Sequence, residues 1–406
     1  MNTVLKIAWR NIWRNKVRSF MVAAAITIGI WSGVFIVSFS NGLSNQRKDA
    51  MLKSMISHVQ ITNKDFLDKY EVKHLLKPTI NLDAIGQNEH VLAASPRIKI
   101  MGAMASTARG SGALQLIAVN PELESQVTDM HTRLVEGEYL KGTKSKAIII
   151  GQKLAEKLKT GLKKKVAIRF IDHNGNNRSE SFKVVGIFKS ISSKYDELTA
   201  FTRIDDMNKI LGVEGEYHEV ALWLDNLENA PGVVSQLQTQ YPDYEVRDWK
   251  KVSPELGYTD DMMGMTLYII IGIFMLALAG IIINTMLMAI LERKRELGMI
   301  LCVGMNKTKV FTMIMLETIM LSLIGGITGV ALGYLTVSHF GNVGIDLSAL
   351  EKGMESFGMS TMVYTEIPIT DLVKITIIVF VVSLLAAIIP GRRAMKLKPA
   401  EAVRAI

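Results

Sequence analysis

A phosphate-binding loop needs glycines closing on Gly-Lys-Ser/Thr, and Gly137-Glu138-Tyr139-Leu140-Lys141-Gly142-Thr143-Lys144-Ser145 comes nearest to that pattern. Its lysine stands one place late, so the backbone amides and the ammonium group do not converge on one phosphate. The seven histidines, His58, His74, His90, His131, His173, His218 and His339, are scattered, and none shows metal-ligand spacing with another histidine or with Cys302. As Cys302 is the only cysteine, no intrachain disulfide forms. No Gly-x-Ser-x-Gly elbow occurs, and acid pairs such as Asp205/Asp206 and Asp260/Asp261 read as helix caps or surface. The chain therefore reads as a non-enzyme with no metal and no cofactor of its own.

The chemistry that remains is docking by charge. Glu292-Arg293-Lys294-Arg295-Glu296-Leu297-Gly298-Met299 directly follows an apolar helix, and Pro390-Gly391-Arg392-Arg393-Ala394 directly follows the last one, with Pro399 and Glu401 close behind. In the first segment, Arg293 and Arg295 suit directional pairs with acids of a partner, while Leu297, Met299 and Ile300 suit a partner's groove. Both segments sit where a membrane helix meets an aqueous phase, as expected of a subunit moved by something docking from below. A plain positive anchor is the competing reading.

Four apolar runs must position these segments. Phe20–Phe39, Leu267–Leu291 and Thr318–Ser338 carry no charge, and Ile375–Pro390 becomes long enough when extended back to Ile369. A bilayer core takes about 20 apolar residues in a helix. The net charge of +9 is placed unevenly: Leu43–Met265 holds 30 basic and 29 acidic residues, so the excess flanks the helices. Lys6, Arg10, Arg14, Lys16 and Arg18 precede the first helix, Arg293, Lys294, Arg295, Lys307 and Lys309 follow the second, and Arg392, Arg393, Lys396, Lys398 and Arg404 follow the fourth. The positive-inside rule puts both termini and this second-to-third connection in the cytoplasm. Basic residues placed in this way, with no patch of aromatic platforms, argue against nucleic acid as partner.

The fold class expected is an α-helical membrane protein of four transmembrane helices, with a large mixed α/β extracytoplasmic domain between the first and second. The divisions are 1–18, an amphipathic interfacial helix; 19–42, the first span; 43–265, the outer domain; 266–291, the second span; 292–309, a coupling segment; 310–340, the third span; 341–368, a short outer loop; 369–390, the fourth span; and 391–406, a cytoplasmic tail. In residues 1–18, Val4, Leu5, Ala8, Trp9, Ile12, Trp13 and Val17 recur at helical spacing with cations opposite, which suits a helix in the headgroup layer. Ala25, Gly29 and Gly33, and likewise Gly325, Gly329 and Gly333, step along one helix face, which permits close helix approach, although membrane helices are rich in glycine and alanine in any case. Glu317 reads as reaching the headgroups, with a coupling role as the alternative. Strands are expected at Ser57–Thr62, Gln115–Val119, Lys146–Ile150, Lys165–Ile171, Ser181–Phe188 and Glu219–Leu224, and helices at Gln152–Lys159, Asp205–Leu211 and Asn229–Tyr241. Asp172–Asn176 reads as a turn centred on Asn-Gly. Asn41–Ser54 and Pro254–Thr266 are the stalks.

Four segments carry a family resemblance. Ala8-Trp9-Arg10-Asn11-Ile12-Trp13-Arg14-Asn15-Lys16-Val17-Arg18-Ser19, Ile290 to Met299 with Gly304-Met305, and Pro390 to Ala394 with Pro399 to Arg404 resemble the opening, post-second-helix and closing motifs of FtsX/MacB-like ABC transporter permeases. Ala147 to Ala155 is similar to an element of their outer domain. The resemblance implies the type VII ABC fold, with an outer domain divided into porter and sabre parts and a dimer in the membrane. It also implies mechanotransmission, in which ATP and Mg are bound by a separate nucleotide-binding subunit.

Within that family, length and layout resemble the LolC/LolE permeases of lipoprotein release. The resemblance implies a LolD-like ATPase partner, a second permease copy or paralogue, a lipoprotein substrate and a periplasmic carrier, at a bacterial inner membrane. The alternatives are a MacB-type export permease with a separate ATPase and an FtsX-type regulator of a cell-wall hydrolase. The hairpin at Ile171–Ser181 lacks the proline-rich signature of a carrier-binding hook. Phe35, Phe39, Met262, Met263, Met265 and Leu267 are the expected lipid or substrate contacts, the methionines adapting to variable packing.

Overall fold

The computed structural model describes residues 2–76, 80–140, 146–213, 215–350, 353–354 and 359–397. The chain forms two compact units, one of residues 1–44, 262–346 and 362–406, the other of residues 45–261 and 347–361.

The first unit begins with α1 (Asn2–Arg14) and α2 (Lys16–Met51). In the outer unit the helices are α3 (Lys64–Lys69), α4 (Leu82–Gly86), α5 (Pro121–Val127), α6 (Gln152–Leu158), α7 (Ser193–Leu198), α8 (Ile204–Leu211), α9 (Ala230–Gln240) and α10 (Trp249–Val252). The chain returns through α11 (Pro254–Glu292), α12 (Lys294–Cys302), α13 (Lys307–Val343) and α14 (Ile369–Met395). Among the described residues, four helices are long and apolar enough to cross a membrane. Like α13 at 37 residues, the first two outrun it: at 36 and 39 residues, α2 and α11 measure about 54 and 58 Å against a core of about 30 Å. The stretches expected as stalks therefore continue these helices. No proline falls within Asn41–Ser54, and Pro254 opens α11 at its first turn, where proline is tolerated.

Packing in this unit explains the glycine steps. A Cβ at Gly325 would lie 2.7 Å from the Ala23 carbonyl, and at Gly329 or Gly333 it would lie 2.9 Å from the side chain of Ile30 or Val34. The stripe on α13 therefore seats the aliphatic ridge of α2, and the Thr27 hydroxyl donates to the Gly325 carbonyl at 3.2 Å. On α2 itself, Gly29 faces Leu278 of α11 and Gly33 faces Ile375 of α14.

The outer unit is built on ten strands: β1 (Val59–Asn63), β2 (Val91–Ser106), β3 (Ser111–Val119), β4 (Leu134–Gly137), β5 (Ala147–Gly151), β6 (Lys165–Ile171), β7 (Asn177–Phe188), β8 (Thr199–Arg203), β9 (Glu219–Leu224) and β10 (Tyr244–Asp248). Two short strands, β11 (Ile345–Asp346) and β12 (Met362–Val363), pair in the membrane unit. The strand order β10-β1-β9-β2-β3-β8-β5-β7-β4 has one extra link, since β6 pairs with both β2 and β7. Strands β2, β3, β8, β5, β7 and β6 thus close a ring, and β10, β1, β9 and the first half of β2 form an antiparallel sheet beside it.

The sixteen-residue β2 belongs to both parts. It leaves β9 at Arg97, bulges between Ile100 and Ala103, and joins β6 from Met104. The bulge holds Gly102 at φ +69°, a left-handed conformation that only glycine takes without strain.

Charged groups lock this crossing point. Arg97 donates to Glu124 of α5 at 2.8 and 3.1 Å and to Glu219 of β9 at 3.0 Å, and Lys99 also pairs with Glu219. Arg97, Glu124 and Glu219 are buried. Burial opposes the charge on Glu219, but Lys99 and Arg97 outweigh it and hold the carboxyl below its ordinary range. His218 next to it accepts from the Lys99 amide at 3.1 Å and donates to the Val72 carbonyl at 3.0 Å. Burial pushes its pKa down to about 4.

In the outer unit, Leu52 and Ile56 of the segment after α2 cluster with Trp249 of α10 and Leu256 of α11. Lys48 and Lys250 lie 5.8 and 5.5 Å from the Trp249 ring centroid, and Lys48 pairs with Asp260 at 3.6 Å and Lys250 with Asp261 at 3.1 Å. A π-helical turn, Leu52–Ile56, joins α2 to β1.

Candidate coupling site

The segment after α11 folds as a helix–turn–helix. Arg293 leaves helical geometry, α12 follows, Gly304 turns the chain at φ +99°, and the Asn306 side chain caps α13 by accepting from the Thr308 amide. Helix α12 therefore has an inner and an outer face. Leu297 and Gly298 are buried, while Glu292, Arg295, Met299, Cys302 and Val303 are exposed. Lys294 and Glu296 are half-buried.

Three expectations change here. Leu297 packs inside its own bundle at 4% exposure, so it anchors α12 and is not offered to a partner. Arg293 forms its directional pair within the chain: Nη1 lies 3.6 Å from Glu317 Oε1 of α13, and Nη2 donates to the Asn11 carbonyl of α1 at 3.1 Å. Glu317 does not reach the headgroups; it is 3% exposed and held by that guanidinium. Three elements, α1, α13 and the α11–α12 turn, thus meet at Arg293. A second tie, between Arg14 of α1 and Glu296 of α12, runs beside it. The missed signal was the pairing of two opposite charges at helix ends, since a lone Glu317 beside an apolar run needs a buried cation.

What α12 and the residues flanking it leave outward is a mixed strip. Glu292 and Arg295 supply charge, and Met299 and Val303, 46% and 88% exposed, supply apolar surface.

Helix α14 continues through Pro390 and Gly391 to Met395, so these two residues do not end it. This stretch is closely packed: a Cβ at Gly391 would lie 2.8 Å from the Phe311 ring, and Pro390 and Ala394 are buried. Arg392 and Arg393 lie exposed in its last turn. Pro399 and Glu401 lie outside the described residues, as do Lys141–Ser145 of the near-match to a phosphate loop.

The six expected lipid contacts fall on two helices. Phe35 and Phe39 of α2 stack at 6.3 Å, and Phe35 meets Phe340 of α13 edge-on. Met262 and Met265 are exposed on α11, while Met263 and Leu267 are half-buried. None of the six lines the apolar groove of about 730 Å³ between α2, α13 and α14, which Ile26, Ile30, Gly326, Tyr334, Leu372 and Phe380 help to form. Among the described residues no cluster of His, Cys, Asp and Glu could hold a metal ion.

The FtsX-like permease C-terminal family matches residues 268–399, and the MacB-like periplasmic core domain matches residues 19–240. The chain is 24% identical over 412 residues to the lipoprotein-releasing system transmembrane protein LolC of Neisseria meningitidis serogroup B, covering 96% of this chain and 95% of that protein. It is 23% identical over 415 residues to the uncharacterized ABC transporter permease MJ1507 of Methanocaldococcus jannaschii, covering 100% and 98%. The periplasmic region of MacB from Actinobacillus actinomycetemcomitans aligns with a TM-score of 0.36 at 9% identity, over 52% of this chain and 98% of that one. The MacB-like match alone spans more than half of the sequence and the FtsX-like match covers α12, α13 and α14, so the chain belongs to the FtsX/MacB-type family of ABC transporter permeases.

Proposed function

We propose that this chain is the permease subunit of an ABC transporter that works by mechanotransmission and releases lipoproteins from a bacterial inner membrane toward a periplasmic carrier. A separate LolD-like subunit binds ATP and Mg and docks on the outward strip of α12, with Arg392 and Arg393 nearby in sequence to the tail. Both termini are cytoplasmic, and a second permease copy or paralogue completes the dimer. The observation that carries the coupling part is Arg293, whose contacts tie the turn before α12 to α13 through Glu317 and to α1 through Asn11. A displacement of α12 by a docked ATPase is then carried into the membrane helices by a buried ion pair. Helices α2 and α11 each run on beyond the length of a bilayer core and reach the Trp249 cluster at their far ends.

The lipoprotein part rests on similarity along nearly the whole length to LolC. Export is the second reading. The pyoverdine export ATP-binding/permease protein PvdT of Pseudomonas syringae is 23% identical over 81% of this chain, which spans 50% of that protein. A mild-detergent pull-down of the full chain, with mass spectrometry of what is retained, separates the two. An ATPase subunit with acylated lipoproteins supports release, and an ATPase subunit with a membrane-fusion protein supports export.

A further inference from the structure

Among the described residues, the first helix carries a charge imbalance that the chain does not resolve. Ala8 and Ile12 of α1 are buried against the bundle. At about 100° per residue, the next face round the helix holds Leu5, Trp9 and Trp13, which are 44%, 49% and 56% exposed. Beyond the tryptophans lie Lys6, Arg10 and Arg14, all exposed. The two indoles touch edge to face at 5.9 Å. Tryptophan rings settle at headgroup depth, so cations on the adjoining stripe lie level with lipid phosphates.

No acidic residue precedes Asp49 in the sequence. Among the described residues Lys6 and Arg10 form no ion pair, and Arg14 pairs with Glu296. Three cations thus share one carboxylate, and that carboxylate belongs to the coupling helix. A zwitterionic headgroup brings its own cation and leaves such an imbalance in place, whereas an anionic headgroup removes it.

We propose that α1 is a binding site for acidic glycerophospholipids of the bilayer and that its occupancy sets the position of the coupling helix. Lys6 and Arg10 bind the headgroup phosphates while Trp9 and Trp13 seat the helix. The anchorage passes to the coupling segment by two links: the Asn11 carbonyl, which accepts from Arg293 at 3.1 Å, and Arg14, which pairs with Glu296. Neither link depends on what the transporter carries.

Hydrogen exchange of the full chain in nanodiscs tests this without the ATPase. Two bilayers are compared: phosphatidylcholine alone, and phosphatidylcholine with one third phosphatidylglycerol. Exchange across Lys294–Cys302 should slow by at least about fivefold in the anionic bilayer, the effect of one basic residue at an anionic surface. Lys6→Gln with Arg10→Gln should abolish the difference and leave exchange in phosphatidylcholine unchanged, which also shows that the variant is folded. Inorganic phosphate added to phosphatidylcholine discs should have no effect. Equal exchange in the two bilayers, or a double variant that responds like the wild type, overturns the proposal. Reproduction of the slowing by free phosphate overturns the assignment to bilayer headgroups.

Discussion

Glu317→Gln removes a negative charge from a pair whose side chains are 11% and 4% exposed. At the observed 3.6 Å separation, the gross attraction at an effective dielectric of about 20 is about 4–5 kcal/mol. Loss of one partner leaves the guanidinium buried without that charge, at a cost of about 3–5 kcal/mol. Arg293→Met should cost a similar amount, plus about 1 kcal/mol for the Asn11 carbonyl that loses its donor. The double variant Arg293→Met/Glu317→Gln removes both charges and should lie well above the sum of the singles. A double-mutant cycle cancels the Asn11 contribution and should leave a coupling energy of about 1.5–3 kcal/mol. Equilibrium unfolding of the purified full chain in one detergent gives the four stabilities. Single variants within about 0.5 kcal/mol of wild type, with additive effects, would show the pair to behave like an exposed ion pair. The claim that Arg293 carries force between helices would then fail.

Three further outcomes follow from the packing and the outer unit. Gly325→Leu should separate α2 from α13, because its Cβ alone would meet the Ala23 carbonyl at 2.7 Å, while Gly326→Ala, 3.9 Å from its nearest neighbour, should be silent in a thermal-unfolding comparison. Trp249→Ala should cost about 3–5 kcal/mol in the same unfolding assay and release Lys48 and Lys250, whereas Trp249→Phe, which keeps a ring, should cost less. His218 has a folded pKa of about 4, below its ordinary 6.5. The unfolded chain therefore takes up a proton below about pH 6.5 that the folded chain refuses. Stability should be full above that pH, and His218 alone should lower it by up to about 3 kcal/mol as the pH drops to 4; His58, also pushed down to about 4 by burial, acts in the same window, so His218→Gln should reduce the fall and leave the His58 share.

Strands with dense β-branched and aromatic patterning were legible end to end: Lys165–Ile171 and Glu219–Leu224 are β6 and β9 as read. The Asp172–Asn176 turn joins β6 to β7, with Gly175 at φ +81°. The longest strand, β2, was not read, because Pro96 and the bulge at Gly102 break its alternation and its two halves face different neighbours. Closure of the ring through β6 was equally hidden, since strand pairing is not written in local periodicity. At the site, the segment Glu292–Met299 was found by its charge and position, but the division of labour within it was not. Whether an arginine serves a partner or its own chain depends on what a distant helix places opposite, here Glu317. Pro390-Gly391 looks like a stop signal, yet the helix carries on through it, and the Phe311 ring packed on Gly391 accounts for the glycine.

In the proposed function an ATPase subunit drives this chain through the outward strip of α12. The most direct test is purification of the full chain from native membranes, as wild type and as Arg295→Glu/Met299→Asp, with quantitation of the co-purifying nucleotide-binding subunit. Both side chains are exposed, so the variant should fold, and it should retain less than about a tenth of the wild-type amount, as loss of a charged and an apolar contact at an interface centre implies. Equal retention by the two proteins, or no nucleotide-binding subunit with the wild type, would contradict the account.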